Sequence, residues 1–428
     1  MLWFARLTGG VHLGKTSRRL PSLLVSAKRF DLLPDRKWNA MAEFTTLQEM
    51  VLIAHAKMEP AAWDFVNGGT ESEVTLRRNR HGLDRLAFRS RVLNDVARID
   101  TSTTFLGYKL ALPVMMAPVG SLALIDPAAA VSVAGACKTC GSLLIYSTFA
   151  DPPLENVRSK VDHPLILGLY VRGDQAWLDE AVDAAVAAGC LAIAVVTEAP
   201  YYSRRERDLI NRFRSRGSKS TTYAATQKVL REGSSAEAVA AAEARMVTAR
   251  LTWKTIERIR RRSSLPIILK GISTAEDARL AVEYGASAIY ISNHGGRQLD
   301  CAPGSIQVLP EIVDAVSGRA AVLMDGGIYR GTDVLKAIAL GAQAVCIGRL
   351  QCWALAAGGE AGLVRMMEIL EEEIIITMGL LGVTKLADLS RKHVVATDAL
   401  DPPHIFNPFP VVKERLAALP PSGASKRD

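Results

Sequence analysis

Cysteine is scarce in this chain. Six in 428 residues are too few for a disulfide framework and point to reduced thiols in an intracellular compartment. Cys137 and Cys140 in "CKTC" have redox-motif spacing. They close an apolar, alanine-rich helical stretch with no second pair and no nearby histidine, so a buried structural role is expected, and no metal site. Apolar runs of 18 or more residues are also missing, which leaves no candidate transmembrane helix and makes a soluble protein the expectation. Acidic residues are absent from positions 1–30, where Arg6, Lys15, Arg18, Arg19, Lys28 and Arg29 supply six of the formal net charge of +8. The rest of the chain is nearly neutral, so no nucleic-acid partner is expected. A basic, acid-free start containing Ser and Leu has the composition of an organellar transit peptide, and equally of a leader read from a start codon ahead of a domain beginning near Met41. The expected location is cytoplasmic, or mitochondrial if residues 1–30 are a transit peptide.

What is present is enough apolar material, 49% of residues, to bury one barrel of ~250 residues with additions, or two domains. From residue 113 onward eight short apolar runs recur: "PVMMAPV", "SLLIYS", "PLILGLYV", "LAIAVVTE", "LPIILKG", "AIYISNH", "AVLMDGG" and "AVCIGR". Continuous runs of this kind suit strands covered on both faces, as in a parallel sheet. Between them lie helical patterns such as "DQAWLDEAVDAAVAAG", "STAEDARLAVEYG" and "GTDVLKAIALG", which open near Ser, Thr or Asp and close on Gly. Eight β-then-α units predict a (β/α)8 TIM barrel with an N-terminal helical extension and a long loop after the fourth strand. An open doubly wound sheet is disfavoured, because no Gly-x-Gly-x-x-Gly turn follows the first strand.

In such a barrel the chemistry gathers where strands end. Ser147 closes the second run, Tyr170 lies on the third, Glu198 and Arg205 follow the fourth, Lys270 closes the fifth and His294 the sixth. They are expected to converge on one mouth, which makes "SNHGGRQLD" more than the surroundings of a structural histidine. The last two strands end in "DGGIYRG" and "GRL". Glycines there, a helix N-terminus and Arg349 predict a cradle for a phosphorylated ligand.

The segments "SNHGGRQLD", "LKGISTAEDARLA", "DGGIYRGTDVLKA" and "RRERDLINRF" resemble the FMN-dependent α-hydroxy-acid oxidases and dehydrogenases, from about residue 43 to about residue 395. The resemblance implies FMN, with its phosphate on Asp325, Gly326, Gly327, Gly348 and Arg349. It places the flavin ring over Pro118, Val119 and Gly120, with Ser147 and Ser292 near its polar edges and Lys270 beside N1 and the C2 carbonyl. It further implies His294 as the general base with Glu198 as its carboxylate partner, where the family has an aspartate. Arg205 and Arg297 would hold the substrate carboxylate, and Tyr170 would bond the substrate's hydroxyl or carboxylate oxygen. The implied reaction is oxidation of an L-2-hydroxy acid to the 2-oxo acid by transfer to flavin N5, in a homotetramer or larger assembly.

Several positions depart from the family pattern. Phe65 stands for a tyrosine, Gly168 for a glutamine, Val196 for a threonine and Tyr329 for an arginine. The space expected beside Gly168 and the missing phenol of Phe65 point either to a larger or less polar substrate than glycolate or to neutral drift with compensating water. One rival reading is therefore an oxidase of a bulkier or amino-bearing substrate in a biosynthetic pathway. Another is a flavin-binding protein without turnover, against which stand the retained His294, Lys270 and Arg297.

Quinone, cytochrome and oxygen all stand as electron acceptors. Residues 1–42 are too short for a fused haem domain, and Gly120 in place of an alanine favours a dehydrogenase using a quinone or protein acceptor. Residues 206–245 contain Arg207, Arg212, Arg214, Arg216 and Lys219, and are expected to be a solvated lid or disordered segment. The chain thus divides into a basic extension at 1–42, a barrel domain at 43–395 and a C-terminal tail at 396–428.

Overall fold

The computed structural model describes residues 44–213, 235–239 and 250–418. The basic extension and most of the Arg- and Lys-bearing segment after residue 213 lie outside the described residues. No helix among the described residues is long and apolar enough to cross a membrane.

Eight strands form a closed parallel barrel: β4 (Val114–Met116), β5 (Leu144–Ser147), β6 (Leu165–Leu169), β7 (Ala192–Val196), β8 (Ile267–Ile272), β9 (Ala288–Ile291), β10 (Ala321–Met324) and β11 (Ala344–Ile347). Each pairs with its sequence neighbours, and β11 returns to β4. The eight strands are the eight apolar runs. Their residues are almost all buried, because helices cover the outside while side chains fill the inside.

Helix ends follow local chemistry. Asp174 accepts from the Trp177 N–H at the start of Gln175–Ala187, and Thr274 accepts from Asp277 N–H at the start of Ala275–Glu283. A hairpin of β2 (Thr103–Phe105) and β3 (Tyr108–Leu110) plugs the N-terminal end of the barrel, where Phe105 and Leu110 pack with Met115, Ile145 and Ile268. The strand C-termini are left as the face available for chemistry.

Three helices precede the barrel, Leu47–Lys57, Pro60–Asn67 and Val74–Asp84. The third reaches the strand ends. Arg80, 2% exposed, forms a two-point ion pair with Asp333 at 2.8 Å and donates to the Gly327 carbonyl at 2.7 Å and to Asp84 at 2.8 Å. Asp333 in turn accepts from the Tyr329 and Arg330 N–H groups, so one buried pair fixes the whole turn after β10. Arg80→Met is expected to strand the Asp333 charge and cost about 3–5 kcal/mol. The check is the urea midpoint of the variant, which should fall with the slope unchanged.

Within residues 396–418, expected as a tail, Ile405, Phe406, Phe409 and Val412 are buried. β12 (Val394–Ala396) pairs antiparallel with β1 (Leu86–Phe88). Phe406 and Phe409 are buried against Trp63, Trp353 and Tyr329. The pattern of this stretch has no period of its own, and its aromatics find partners only from distant helices.

Candidate active site

Lys270 sits at the end of β8, 2% exposed, and its ammonium contacts Glu198 and donates to Ser292 Oγ at 3.0 Å. Ser292 donates to Asp325 Oδ1 at 2.7 Å, and Tyr290 donates to Asp325 Oδ2 at 2.8 Å. Glu198 reaches Lys270 because β8 bulges after it. Gly271 there has φ +107°, and a Cβ would lie 2.6 Å from Glu198 Oε2 and 2.7 Å from its backbone nitrogen. The extra methylene of a glutamate is thus accommodated.

His294 Nδ1 lies 3.0 Å from the same Glu198 oxygen. A carboxylate can only accept there, so Nδ1 carries the proton and Nε2 keeps its lone pair. His294 itself adopts φ +58°, held by its N–H on Ser292 Oγ at 3.0 Å.

The charges tune one another. Burial raises the Glu198 carboxyl, but Lys270 and then His294 outweigh it and hold the group down at about 2. Burial pulls the Lys270 ammonium down, and Glu198 and Asp325 outweigh that, so it stays above its ordinary value. For His294 burial dominates, Lys270 and Arg205 add to it, Glu198 opposes in part, and the ring is lowered to about 4. The result is a neutral imidazole with a carboxylate behind it and a fixed cation beside it, an arrangement suited to proton removal at neutral pH.

Tyr170 approaches from β6, its ring 6.2 Å from His294 and its hydroxyl pushed up to about 12 by burial, so it remains a donor. Arg205 is buried, donates to the Tyr202 hydroxyl at 3.2 Å, and leaves Nε without a partner. Arg297 lies over Phe65 at 4.9 Å and donates through Nη1 to the Phe65 and Gly68 carbonyls at 2.6 and 2.9 Å. Burial, then Arg205 and Arg349, push its guanidinium well down. Anionic ligands are what such a cluster lacks. Asp208, buried with Oδ2 unpartnered and raised by burial against the pull of Arg297 and Arg205, is a nearby carboxylate that its polar helical surroundings in sequence gave no reason to single out.

At the far side of the mouth, Gly326 and Gly327 turn with φ +104° and +80° and are backed by Asn79, which also ties Asn293 and the Ser305 N–H at 2.8 and 3.0 Å. Arg349 starts the helix after β11. It donates to the Gly295 and Gly68 carbonyls at 2.9 Å each, and its buried Nε has no partner. A Cβ at Gly348 would meet nothing within 4 Å. Open space, a helix N-terminus and an unpartnered guanidinium nitrogen fit a phosphate monoester.

Asp325 does not extend that phosphate site. Its N–H bonds Ile291 O within the sheet and its carboxylate is engaged by Tyr290 and Ser292, so it would repel a phosphate, while it can still accept from a polyol hydroxyl. Pro118, Val119 and Gly120 follow β4, and Val119 and Gly120 line a small apolar cleft with Phe65, Val66 and Cys352. Ser147 accepts from the Phe149 N–H at 3.1 Å.

Two departures acquire physical reasons here. Gly168 leaves no space, contrary to expectation: a Cβ would lie 2.8 Å from Pro118 Cβ and 3.0 Å from the Tyr146 carbonyl oxygen. Tyr329 is buried in the cluster with Trp353 and Phe409. Val196 is fully buried at the end of β7.

The family model described as FMN-dependent dehydrogenase matches residues 54–396. Glycolate oxidase 3 of Arabidopsis thaliana is 40% identical over 366 residues, covering 85% of this chain and 99% of that protein. The peroxisomal (S)-2-hydroxyacid oxidase GLO3 of the same plant is 40% identical over 83% of this chain and 97% of its own length. A crystal structure of mandelate oxidase with (S)-2-phenylpropionate superposes with a TM-score of 0.72 at 35% identity, covering 83% of this chain and 99% of that one. With FMN as its cofactor, the chain belongs to the FMN-dependent dehydrogenase family.

Proposed function

We propose that this enzyme oxidises an L-2-hydroxy acid to the 2-oxo acid, with His294 as the base. The observation that carries the reading is the Glu198–His294–Lys270 triad, in which Nε2 is left as a lone pair beside a buried cation. Bound FMN would supply the two-electron acceptor, its phosphate on Gly327, Gly348 and Arg349 and its ring against Val119 and Gly120. Arg205 and Arg297 bind the substrate carboxylate, which sits one carbon from the reacting C–H and so aims it. Tyr170 donates to a substrate oxygen. His294 Nε2 takes the hydroxyl proton, and Glu198 stabilises the imidazolium that results. Lys270 holds a positive charge where negative charge develops.

For the electron acceptor, the relatives' names as oxidases support oxygen over the reading from Gly120. A Cβ at Gly120 would lie 2.8 Å from Phe149 Cβ, so the glycine is required by packing and is no mark of a quinone or protein acceptor. Oxygen is the proposed oxidant. The test is anaerobic mixing of the FMN-loaded protein with glycolate, L-lactate and L-mandelate, followed by admission of air or a quinone analogue. Bleaching of the flavin absorbance by at least one acid, then recovery in air with stoichiometric peroxide, is expected. A flavin that no 2-hydroxy acid bleaches overturns the oxidation reading, and recovery only with the quinone overturns oxygen.

A further inference from the structure

Most of the cations around the barrel mouth belong to the site described above or to structural pairs. Arg207 pairs with Glu73 at 2.8 Å, Lys270 with Glu198, and Arg297 and Arg349 bond backbone carbonyls. Arg172, two residues beyond Tyr170, forms no ion pair among the described residues. Its guanidinium lies over the Phe149 ring at 4.7 Å and the Trp177 ring at 5.6 Å. Aromatic faces orient a guanidinium without neutralising it, and leave its N–H edge free to meet an anion with two parallel bonds. Arg172 is exposed to solvent; its contact with the rings lowers its pKa, and only the Tyr146 phenol acts against that.

Phe149 connects this cation to the reacting centre. Its ring packs edge-on to Tyr170 at 5.1 Å, and Tyr170 stands 6.2 Å from His294. Gly120 lacks a side chain because Phe149 fills that place. A substrate clamped through its α-carboxylate by Arg205 and Arg297 has Tyr170 and Phe149 as a wall along which its own side chain can run, and the Arg172 guanidinium lies over the Phe149 ring of that wall. We propose that Arg172 binds a second, distal carboxylate, so that the substrates are 2-hydroxy dicarboxylic acids. The assignment rests on the hydroxy-acid reading given above and adds a substrate class to it. The methylenes between the two carboxylates lie on Phe149, and the planar fork of Arg172 selects the terminal group.

The test uses FMN-loaded full-length protein and a series of L-2-hydroxy dicarboxylic acids of four to eight carbons. Each is compared with the straight-chain L-2-hydroxy monocarboxylic acid of equal length. Flavin reduction is expected to favour at least one dicarboxylic acid by about tenfold or more in kcat/KM, because only it satisfies the second cation. Arg172→Leu should abolish that ratio, Arg172→Lys should retain part of it, and added salt should erode it in the wild type. A ratio near one in the wild type, or a ratio that survives Arg172→Leu, overturns the proposal. Should the Leu variant fail to fold, the Lys variant and the salt dependence decide. Reduction by monocarboxylic acids without a dicarboxylate preference overturns this assignment alone, whereas a flavin reduced by neither series overturns the hydroxy-acid reading as well.

Discussion

His294→Gln is expected to retain FMN and to slow substrate-driven flavin reduction by ~10²–10⁴-fold, the usual effect of losing a positioned general base. Cofactor retention follows from geometry, because His294 contacts Glu198 and Ser292 and none of the groups in the Gly327, Gly348 and Arg349 cradle. The wild-type pH profile carries the same mechanism. With the ring lowered from 6.5 to about 4, kcat/KM should be flat at neutral pH and fall as pH drops through about 4. Stopped-flow reduction across pH checks both. A profile that breaks near the ordinary histidine value, or a Gln variant within tenfold of wild type, removes His294 from the role.

The sign for stability is the same. His294 in the unfolded chain binds a proton near 6.5 and in the folded protein only near 4, while Glu198 does so near 4.5 unfolded and about 2 folded. Between those values the unfolded chain holds more protons, so stability falls as pH falls.

Lys270→Met should slow flavin reduction by about 10²–10³-fold, the scale seen when one fixed donor at developing negative charge is removed. A second readout separates this from simple misfolding. Lys270 lowers the His294 pKa, and Glu198 raises it; without the ammonium, Glu198 faces the imidazole alone. The acid limb of any residual activity should therefore move up from about 4 toward the ordinary histidine value. Lys270→Arg keeps the charge but not the compact ammonium, and is expected to keep the limb low while still losing rate. An unmoved limb in Lys270→Met would mean that the cation does not act on the base.

Much of this protein was legible along the chain. The eight strands were, because a strand buried on both faces must be apolar throughout, and helical patterns with recognisable ends, such as 174–189 and 273–285, lay between several of the runs. His294, Lys270, Glu198, Tyr170 and Arg205 were legible as a group because in a parallel barrel every strand delivers its last residues to one face. The resemblance then supplied Arg297 and the roles of all of them.

Other features have no local signature. Arg80 and Asn79 lie in "TLRRNR", which reads as a charged surface helix, yet Arg80 is buried on Asp333 and Asn79 ties Asn293 across 214 positions of sequence. Phe149 was unremarkable until it was seen to exclude a side chain at Gly120, and Pro118 does the same at Gly168. Composition, hydrophobic period and helix caps act over a few residues, so by themselves they determined the elements, their order and the end of the barrel where chemistry belongs. Close packing and buried charge pairing act between segments far apart in the chain. They alone decided which glycines are compulsory, in which direction His294 is shifted, and that Arg172 stacks on Phe149 and Trp177.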